Sequence, residues 1–231
     1  MKTIGLLAGM SWQSSLSYYT QLNQGVSKLL GGLHSAKIAM VSVDFAPIEQ
    51  KQHQGDWGAL AQELASNAKS IEAAGADFLL ICTNTMHKVA PQVENEINIP
   101  LLHIADATGE ALLNKNISKV GLLGTKFTMQ DDFYKGRLKQ QFDIDVIVPE
   151  EQDIAVVHDI IYQELCLGEI KQASKRQYLS IIEKLARAGA QGVILGCTEI
   201  GLLVNQDDTQ VALFDTTQIH IEKAVDIAIN S

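Results

Sequence analysis

The sequence lacks several features that would assign it to a common class of protein. Its 231 residues include 18 basic and 27 acidic side chains, giving a net charge of −9 with no basic stripe. Nucleic acid is therefore not an expected partner, because binding its phosphates requires clustered Lys and Arg. Charged residues make up only 19% of the chain and hydrophobic residues 46%, which argues against disorder and predicts a sizeable core.

Long apolar runs and paired cysteines are also missing. No stretch is long enough to cross a bilayer, so no membrane association is expected. The run MKTIGLLAGMSW breaks at Gly9 without a small-residue cleavage site, so it predicts a buried first strand rather than a signal peptide. Cys82, Cys166 and Cys197 are odd in number and far apart, which favours reduced thiols and a cytoplasmic location.

Motifs for metals, nucleotides and common cofactors are absent from the sequence. No Cys/His spacing resembles a zinc site, and there is no Walker loop, G-x-S-x-G elbow or pyridoxal phosphate lysine. We therefore expect no bound metal or cofactor. The six histidines are scattered, and His87 is expected to follow a loop, in a packing or orienting role as readily as a catalytic one.

Short apolar runs alternate with amphipathic stretches, which is typical of an α/β protein with parallel sheets. The predicted strands are 3–7, 37–43, 78–82, 101–104, 119–123, 145–148, 192–196 and 211–214. Helical spacing predicts one buried face made of Leu16, Tyr19, Leu22, Val26 and Leu29. It predicts another made of Ile154, Val157, Ile161 and Leu165.

An internal repeat is the most informative feature. The segment AAGADFLLICTNT (73–85) aligns with RAGAQGVILGCTE (187–199), and KTIGLLAG (2–9) resembles SKVGLLGT (118–125). The offset of 114 residues between Gly75 and Gly189 (189 − 75) also aligns Thr83 with Cys197. We therefore expect two pseudo-symmetric Rossmann-like lobes, residues 1–105 plus 210–231 and residues 106–209. A ligand would bind in the cleft between them, at the carboxyl ends of both sheets.

The repeat identifies Thr83 and Cys197 as the side chains presented at equivalent strand ends. Cys82 lies one residue earlier, and a one-residue step along a strand reverses the side chain, so Cys82 should point away from the ligand. Cys197 precedes a possible short helix, whose N-terminus would lower the pKa of the thiol. A lone cysteine at a strand end is usually a small buried hydrophobic residue. Cys166, which is expected at the end of an amphipathic helix, is most simply a packing residue. The symmetric polar motifs CTNT and GCTE instead favour a site for a small carboxylate.

These motifs resemble those of the aspartate/glutamate racemase family, most closely its L-aspartate/glutamate-specific, broad-specificity branch. The matching segments span nearly the whole chain and are GLLAGMSW, VDF, CTNTMH, HIADAT, GLLGTKFTM, ELCLG and GCTEI. The resemblance implies a homodimer of two-lobed α/β subunits that needs neither pyridoxal phosphate nor metal. It implies racemisation of aspartate or glutamate, in which the α-proton is removed on one face and returned on the other.

The resemblance also implies roles for individual residues. The family usually has one catalytic cysteine in each lobe, and here Cys197 keeps the second whereas Thr83 replaces the first. Cys197 would be the base for the L substrate. Thr83 has no anionic form near neutral pH, so it would be a weaker acid/base that donates or relays a proton. The implied substrate contacts are Met10, Gln52, Asn84, Thr85, Thr128, Thr198 and, with a less defined role, Glu199.

Several alternatives stay open on the sequence alone. A single-cysteine decarboxylase, a hydantoin racemase or a maleate isomerase would share this fold. A non-catalytic amino-acid-binding protein would explain Thr83 as lost catalysis. The preferred amino acid is also open, because Lys126 in GTKFTM could equally face solvent and Glu164 in ELCLG has the wrong sign for a side-chain carboxylate. Substrates broader than aspartate are therefore allowed.

Overall fold

The chain forms two compact α/β units, each with its own parallel sheet. A computed structural model describes residues 1–230, and its contacts group Met1–Ile104 with the segment from His220 onward, and Ala105–Ile219 as the second unit. The predicted fold class, with one parallel sheet in each of two lobes, is confirmed. Residues 210–219 were expected in the first lobe, but they lie in the second unit because their strand pairs with that unit's sheet.

The first unit has a three-stranded parallel sheet. Its strands are β1 (Ile4–Ala8), β2 (Ile38–Ser42) and β3 (Phe78–Ile81), in the order β2-β1-β3. The helices that begin in this unit are α1 (Trp12–Leu30), α2 (Phe45–Gln54), α3 (Trp57–Ala73), α4 (Ala90–Glu94) and α5 (Ile104–Leu113). A 3₁₀ turn, Thr85–Val89, follows β3.

The second unit has a four-stranded parallel sheet. Its strands are β4 (Lys119–Gly124), β5 (Asp145–Ile147), β6 (Val193–Gly196) and β7 (Leu213–Asp215), in the order β5-β4-β6-β7. The helices that begin here are α6 (Lys126–Gln130), α7 (Asp132–Phe142), α8 (Glu151–Gln163), α9 (Gln172–Arg187), α10 (Ile200–Leu203) and α11 (Thr216–Asn230). Two 3₁₀ turns are Leu165–Leu167 and Gln206–Asp208.

Central strands are apolar throughout because both faces of each sheet are covered. All residues of β1, β3 and β6 are buried. Successive side chains point to opposite faces, so Leu6 and Leu80 pack in one core of the first unit, whereas Leu7 and Ile81 pack in the other.

The predicted strand 101–104 is wrong beyond its first residue. Leu101 forms a single parallel bridge to Leu79 of β3. Its position beside β3 corresponds to that of β7 beside β6 in the other sheet, so the two sheets share one topology. The ladder ends there because the backbone N–H of Ile104 donates to Nε2 of His87, and Ile104 begins α5.

The predicted buried face of α1 is also wrong in part. The buried residues are Ser14, Ser15, Tyr18, Leu22 and Val26, whereas the exposed ones include Leu16, Tyr19 and Leu29. Hydrogen bonds set this orientation: Ser15 Oγ accepts the N–H of Gly9 at 2.7 Å, and Ser14 Oγ donates to the carbonyl of Cys82 at 3.0 Å. The predicted face of α8 is confirmed for Ile154, Val157 and Ile161, which are all buried. Leu165 is buried too, but it lies in the 3₁₀ turn after the helix.

Candidate active site

In the first unit, the turn after β1 brings a buried polar and sulfur-containing segment to the end of the sheet. Gly9 has a φ of 97°, and a Cβ there would lie 2.2 Å from the carbonyl oxygen of Val43, so only glycine fits. Met10 and Ser11 follow and are both buried, and Ser11 Oγ caps α1 by accepting the N–H of Ser14. Met10 therefore lies at the carboxyl end of β1, where its side chain is 4% exposed.

The end of β3 lies beside that turn, because Leu7 of β1 pairs with Ile81 of β3. Thr83 is partly exposed, whereas the Asn84 and Thr85 side chains that follow are almost fully buried. The predicted residues Met10, Thr83, Asn84 and Thr85 are thus at one edge of one sheet. Gln52 is also buried, in α2 of the same unit.

Cys82 behaves as the repeat predicted. Its side chain is fully buried in the same core as Leu6 and Leu80. Burial raises the pKa of this thiol far above its ordinary value of 9.0. The Cys82 thiol is therefore a packing group, and Thr83 is the first side chain after β3 that reaches the surface of its unit.

In the second unit, three consecutive residues after β6 form a hydrogen-bonded cluster. The Cys197 thiol donates to Oε2 of Glu199 at 3.0 Å, and the Thr198 hydroxyl donates to the same oxygen at 2.6 Å. Glu199 is 4% exposed and Cys197 is 9% exposed. A buried carboxylate oxygen thus accepts hydrogen bonds from the Cys197 and Thr198 side chains.

The expectation that a helix N-terminus lowers the pKa of Cys197 is wrong. Burial raises this pKa well above 9.0, and the negative charge of Glu199 raises it further. Helix α10 has only four residues and begins at Ile200, so its dipole is too small to offset these effects. The resting thiol is therefore protonated, with its proton directed at Glu199.

Cys166, for which the sequence indicated packing, lies close enough to Glu199 for the charge of the carboxylate to affect its thiol. Burial and the charge of Glu199 raise the pKa of Cys166 to about 12. Tyr178 lies fully buried behind the cluster, where its hydroxyl donates to the carbonyl of Val157 at 3.1 Å. Burial raises the pKa of the Tyr178 hydroxyl well above 10.0, and the carboxylates of Glu164 and Glu199 add to this effect.

Thr128 lies in α6, the short helix that follows β4, and β4 is the strand beside β6. It is fully buried, and its Oγ1 lies 3.2 Å from Oγ1 of Thr125. The close approach of the two strand ends needs glycine, because a Cβ on Gly124 would lie 2.9 Å from the carbonyl oxygen of Gly196. The predicted residues Thr128, Cys197, Thr198 and Glu199 are thus at the carboxyl ends of adjacent strands.

Residues 1–230 contain no group of three or more His, Cys, Asp or Glu side chains arranged to hold a metal ion. Over the same residues, no helix is both long and apolar enough to span a bilayer.

Two features of the site were missed by sequence reasoning. Cys197 and Glu199 are two residues apart in the sequence, but this spacing alone does not predict a contact. The turn after β6 brings Sγ of Cys197 and Oε2 of Glu199 together. The contact of His87 with the carbonyl of Thr83, at 2.8 Å, depends on the 3₁₀ turn after β3. The spacing of four residues was the only signal for it.

Known proteins share the sequence pattern and the fold of this chain. The sequence model of the Asp/Glu/hydantoin racemase family matches residues 7–224. An Asp/Glu racemase candidate from Yersinia pestis has a crystal structure with 52% identity, full coverage of both chains and a TM-score of 0.93. PH1733, an aspartate racemase homologue from Pyrococcus horikoshii OT3, has 33% identity, 99% coverage of both chains and a TM-score of 0.84.

A curated relative supports the same assignment. The broad specificity amino-acid racemase RacX of Bacillus subtilis (strain 168) is 21% identical over 223 residues, which cover 93% of this chain and 92% of RacX. The family match, which extends over both units, is decisive for the assignment. The chain belongs to the Asp/Glu/hydantoin racemase family.

Proposed function

We propose that this chain is a cofactor-independent amino-acid racemase that interconverts L- and D-aspartate or glutamate, with room for other amino acids. The observation that carries the proposal is the hydrogen bond from Cys197 to the buried carboxylate of Glu199. A cysteine that only packed in a core would have no need of a buried charged acceptor, which is costly to desolvate. The repeat adds Thr83 at the equivalent strand end of the other unit.

Cys197 is the proposed base for the L substrate, and Glu199 is the proposed acceptor of its thiol proton. The thiol proton moves to Glu199, which leaves a thiolate on Cys197 and a neutral carboxylic acid on Glu199. The thiolate then takes the α-proton of the substrate, and the electron pair of the broken C–H bond stays on the substrate as a carbanion. The raised pKa of Cys197 makes its thiolate a stronger base once it forms, which suits a weakly acidic α-proton.

Thr83 is the proposed partner on the opposite face of the substrate. Its hydroxyl delivers a proton to the carbanion and takes one in turn from a bound water that exchanges with solvent, which gives the D product. Glu199 then releases its extra proton to solvent, so the thiol, the carboxylate and the hydroxyl all return to their starting states. A hydroxyl has no comparable anionic form near neutral pH, so Thr83 is a weaker base than Cys197. We therefore expect most carbanions formed from the L substrate to return to the L form.

The substrate carboxylate would be held by neutral donors. Asn84 and Thr85 in one unit, and Thr128 and Thr198 in the other, are the proposed contacts, together with Met10 and Gln52. Hydrogen-bond donors fixed in buried positions stabilise developing negative charge without reorganising during the reaction.

Two cysteine variants test the assignment. Cys197→Ser should abolish racemisation of L-aspartate and L-glutamate by enzyme freed of metals and pyridoxal phosphate, while substrate binding measured by calorimetry persists. Cys82→Ala is the matched control, because its thiol is fully buried in the core, and it should retain racemisation. Loss of activity in Cys82→Ala with activity kept in Cys197→Ser would overturn the assignment. Binding without turnover in the unmodified protein would support an amino-acid-binding protein.

A single-cysteine decarboxylase is the second candidate, and the replacement of the first-lobe cysteine by Thr83 favours it. In that reaction Cys197 would protonate the carbanion left when an α-substituted malonate loses carbon dioxide. Release of carbon dioxide from such a malonate, without racemisation of any amino acid, would replace the racemase proposal with this one.

We propose a homodimer that forms through α1. Trp12, Leu16 and Tyr19 follow helical spacing and are 65, 57 and 50% exposed. The helix carries a single charge, Lys28, so two copies of a chain with net charge −9 could approach through α1 without repulsion.

Exposed apolar area on this scale needs covering, and a stable dimer buries about 800 Å² per partner. Leu16→Glu should therefore give a monomer in analytical ultracentrifugation. Leu113→Glu, at an exposed leucine of α5, is the matched control and should leave the dimer intact. A monomeric unmodified protein would refute the proposal.

We also propose a cytoplasmic location, which is supported by three free cysteines.

A further inference from the structure

The backbone on both sides of Thr83 is held by side chains. The carbonyl of Cys82 accepts a hydrogen bond from Ser14 Oγ at 3.0 Å, and the carbonyl of Thr83 lies 2.8 Å from Nδ1 of His87. Peptide groups are planar, so the directions of these two carbonyls set φ and ψ of Thr83. They therefore set the direction in which the Thr83 side chain leaves the backbone.

The hydrogen bonds of His87 define its tautomer. The backbone N–H of Ile104 donates to Nε2 at 3.2 Å, so Nε2 must be unprotonated. In a neutral ring the proton is then on Nδ1, which donates to the carbonyl of Thr83. A protonated ring would place a second N–H against the N–H of Ile104. His87 is 1% exposed, so no bulk water replaces either contact.

The surroundings of His87 keep the ring in place. The ring of His103 packs edge-on at 4.5 Å between centroids, and the ring of His220 lies at 6.0 Å. Burial lowers the pKa of His220 to about 4, so this neighbour is neutral at physiological pH. Rotation of the His87 ring would break two buried hydrogen bonds and displace packed neighbours.

We propose that His87 is a positioning residue for Thr83: it fixes the peptide after Thr83 so that the hydroxyl faces the substrate. The proposal rests on the proposed racemase function. A weak acid/base depends strongly on its geometry, since a displacement of about 1 Å can reduce a rate about 100-fold. His87 does not touch the substrate in this account, and its effect passes entirely through the Thr83 backbone.

Two amide substitutions separate the two hydrogen bonds. Asparagine places its amide nitrogen near the Nδ1 position, so His87→Asn retains a donor for the carbonyl of Thr83 and loses the acceptor for Ile104. Glutamine places its amide near the Nε2 position, so His87→Gln retains the acceptor for Ile104 and loses the donor for Thr83. The two side chains differ by one methylene, and neither carries a titratable group.

The measured quantity is a ratio. L-Aspartate is incubated with enzyme in D₂O, and NMR and chiral chromatography give the D-aspartate formed for each α-proton lost. Exchange alone needs only Cys197, whereas inversion also needs Thr83. Because both events are measured on the same active molecules, the ratio does not change with the fraction of protein that folds.

The expected result is a ratio at least about 10-fold lower in His87→Gln than in the unmodified enzyme. His87→Asn should restore the ratio to within about 3-fold, a rescue that packing alone would not produce. Equal ratios in all three proteins would overturn the positioning role while leaving the racemase function intact. No exchange by the unmodified enzyme would instead refute the racemase function, and the positioning role with it.

A measurement on the unmodified protein covers the case in which a variant fails to fold. The ¹⁵N resonances of the His87 imidazole should show a protonated Nδ1 and an unprotonated Nε2 at neutral pH. Protonation on Nε2 would overturn the proposal, because the ring would then offer no hydrogen to the carbonyl of Thr83.

Discussion

His220 predicts a specific loss of stability at acid pH. Its fully buried ring donates from Nε2 to the carbonyl of Leu102 and accepts at Nδ1 from the hydroxyl of Tyr18, both at 2.8 Å. The neutral ring therefore uses both nitrogens. Burial lowers its pKa from 6.5 to about 4, and the hydrogen bond to Leu102 opposes this effect only in part.

The sign of the effect follows from the protons bound by the two states. Below about pH 6.5 the unfolded chain protonates this histidine, whereas the folded chain does so only near pH 4. The unfolded state therefore binds more protons in this range, and stability falls as the pH falls. The difference of about 2.5 pH units (6.5 − 4), at about 1.4 kcal/mol per unit, gives a total loss of about 3.5 kcal/mol at low pH. About 3 kcal/mol of it is lost by pH 4, where the folded-state histidine is half protonated.

The assay is urea unfolding at a series of pH values between 4 and 7, roughly the range in which free histidine titrates. His87 and His103 lie in the same buried cluster, so the comparison must isolate His220. His220→Gln can keep the donor to Leu102 and cannot titrate. The unmodified protein should lose about 3 kcal/mol more than this variant between pH 6.5 and 4.

The control is His34→Gln, at an exposed position, which should follow the unmodified protein. Parallel curves for the unmodified protein and His220→Gln would refute the reasoning, because His220 would then titrate alike in both states.

Three further variants, each changing a single side chain, give four predictions. Glu199→Gln should reduce racemisation by about 100-fold, because the thiol loses its proton acceptor. The same variant should speed alkylation of Cys197 at a fixed alkaline pH, since the carboxylate that raises the pKa is gone. Thr83→Cys should raise exchange of the α-proton of D-aspartate by at least about 10-fold in D₂O, because a thiol is a better base than a hydroxyl. Tyr134→Phe should lower the free energy of unfolding by about 1 kcal/mol in urea, through loss of its buried hydrogen bond to Thr108.

The sheets could be predicted from the sequence because their central strands are short, continuous apolar runs. The runs in β1, β3 and β6 are apolar on both faces, and the repeat offset of 114 residues aligned the ends of β3 and β6. The face of α1 could not be predicted in this way. Its buried side includes Ser14 and Ser15, whose partners are backbone groups distant in sequence.

The electrostatics of the site, above all the pKa of Cys197, could not be predicted from the sequence either. The order of residues around Cys197 suggested a helix N-terminus and a lowered pKa, but burial and Glu199 have the larger effect. Neither burial nor the direction of a carboxylate is encoded in local spacing. Likewise, the His87 contact with the Thr83 carbonyl needed the path of the 3₁₀ turn and the position of Ile104.

The asymmetry between Cys197 and Thr83 has a thermodynamic limit. The two enantiomers have equal free energies in solution, so kcat/KM for net racemisation must be the same in both directions. The difference between a thiol and a hydroxyl can therefore appear only in exchange without inversion, where each enantiomer regains a proton from the base that removed the first one.

Exchange of the α-proton in D₂O is consequently the most direct test of the account. Enzyme freed of metals and pyridoxal phosphate would be mixed separately with L- and D-aspartate and with L- and D-glutamate, and the Cα–H signal followed by NMR at low conversion. We expect rapid exchange without inversion from the L forms and little from the D forms. Equal exchange without inversion from both forms, or none from any, would contradict the assignment of Cys197 as the strong base and Thr83 as the weak one.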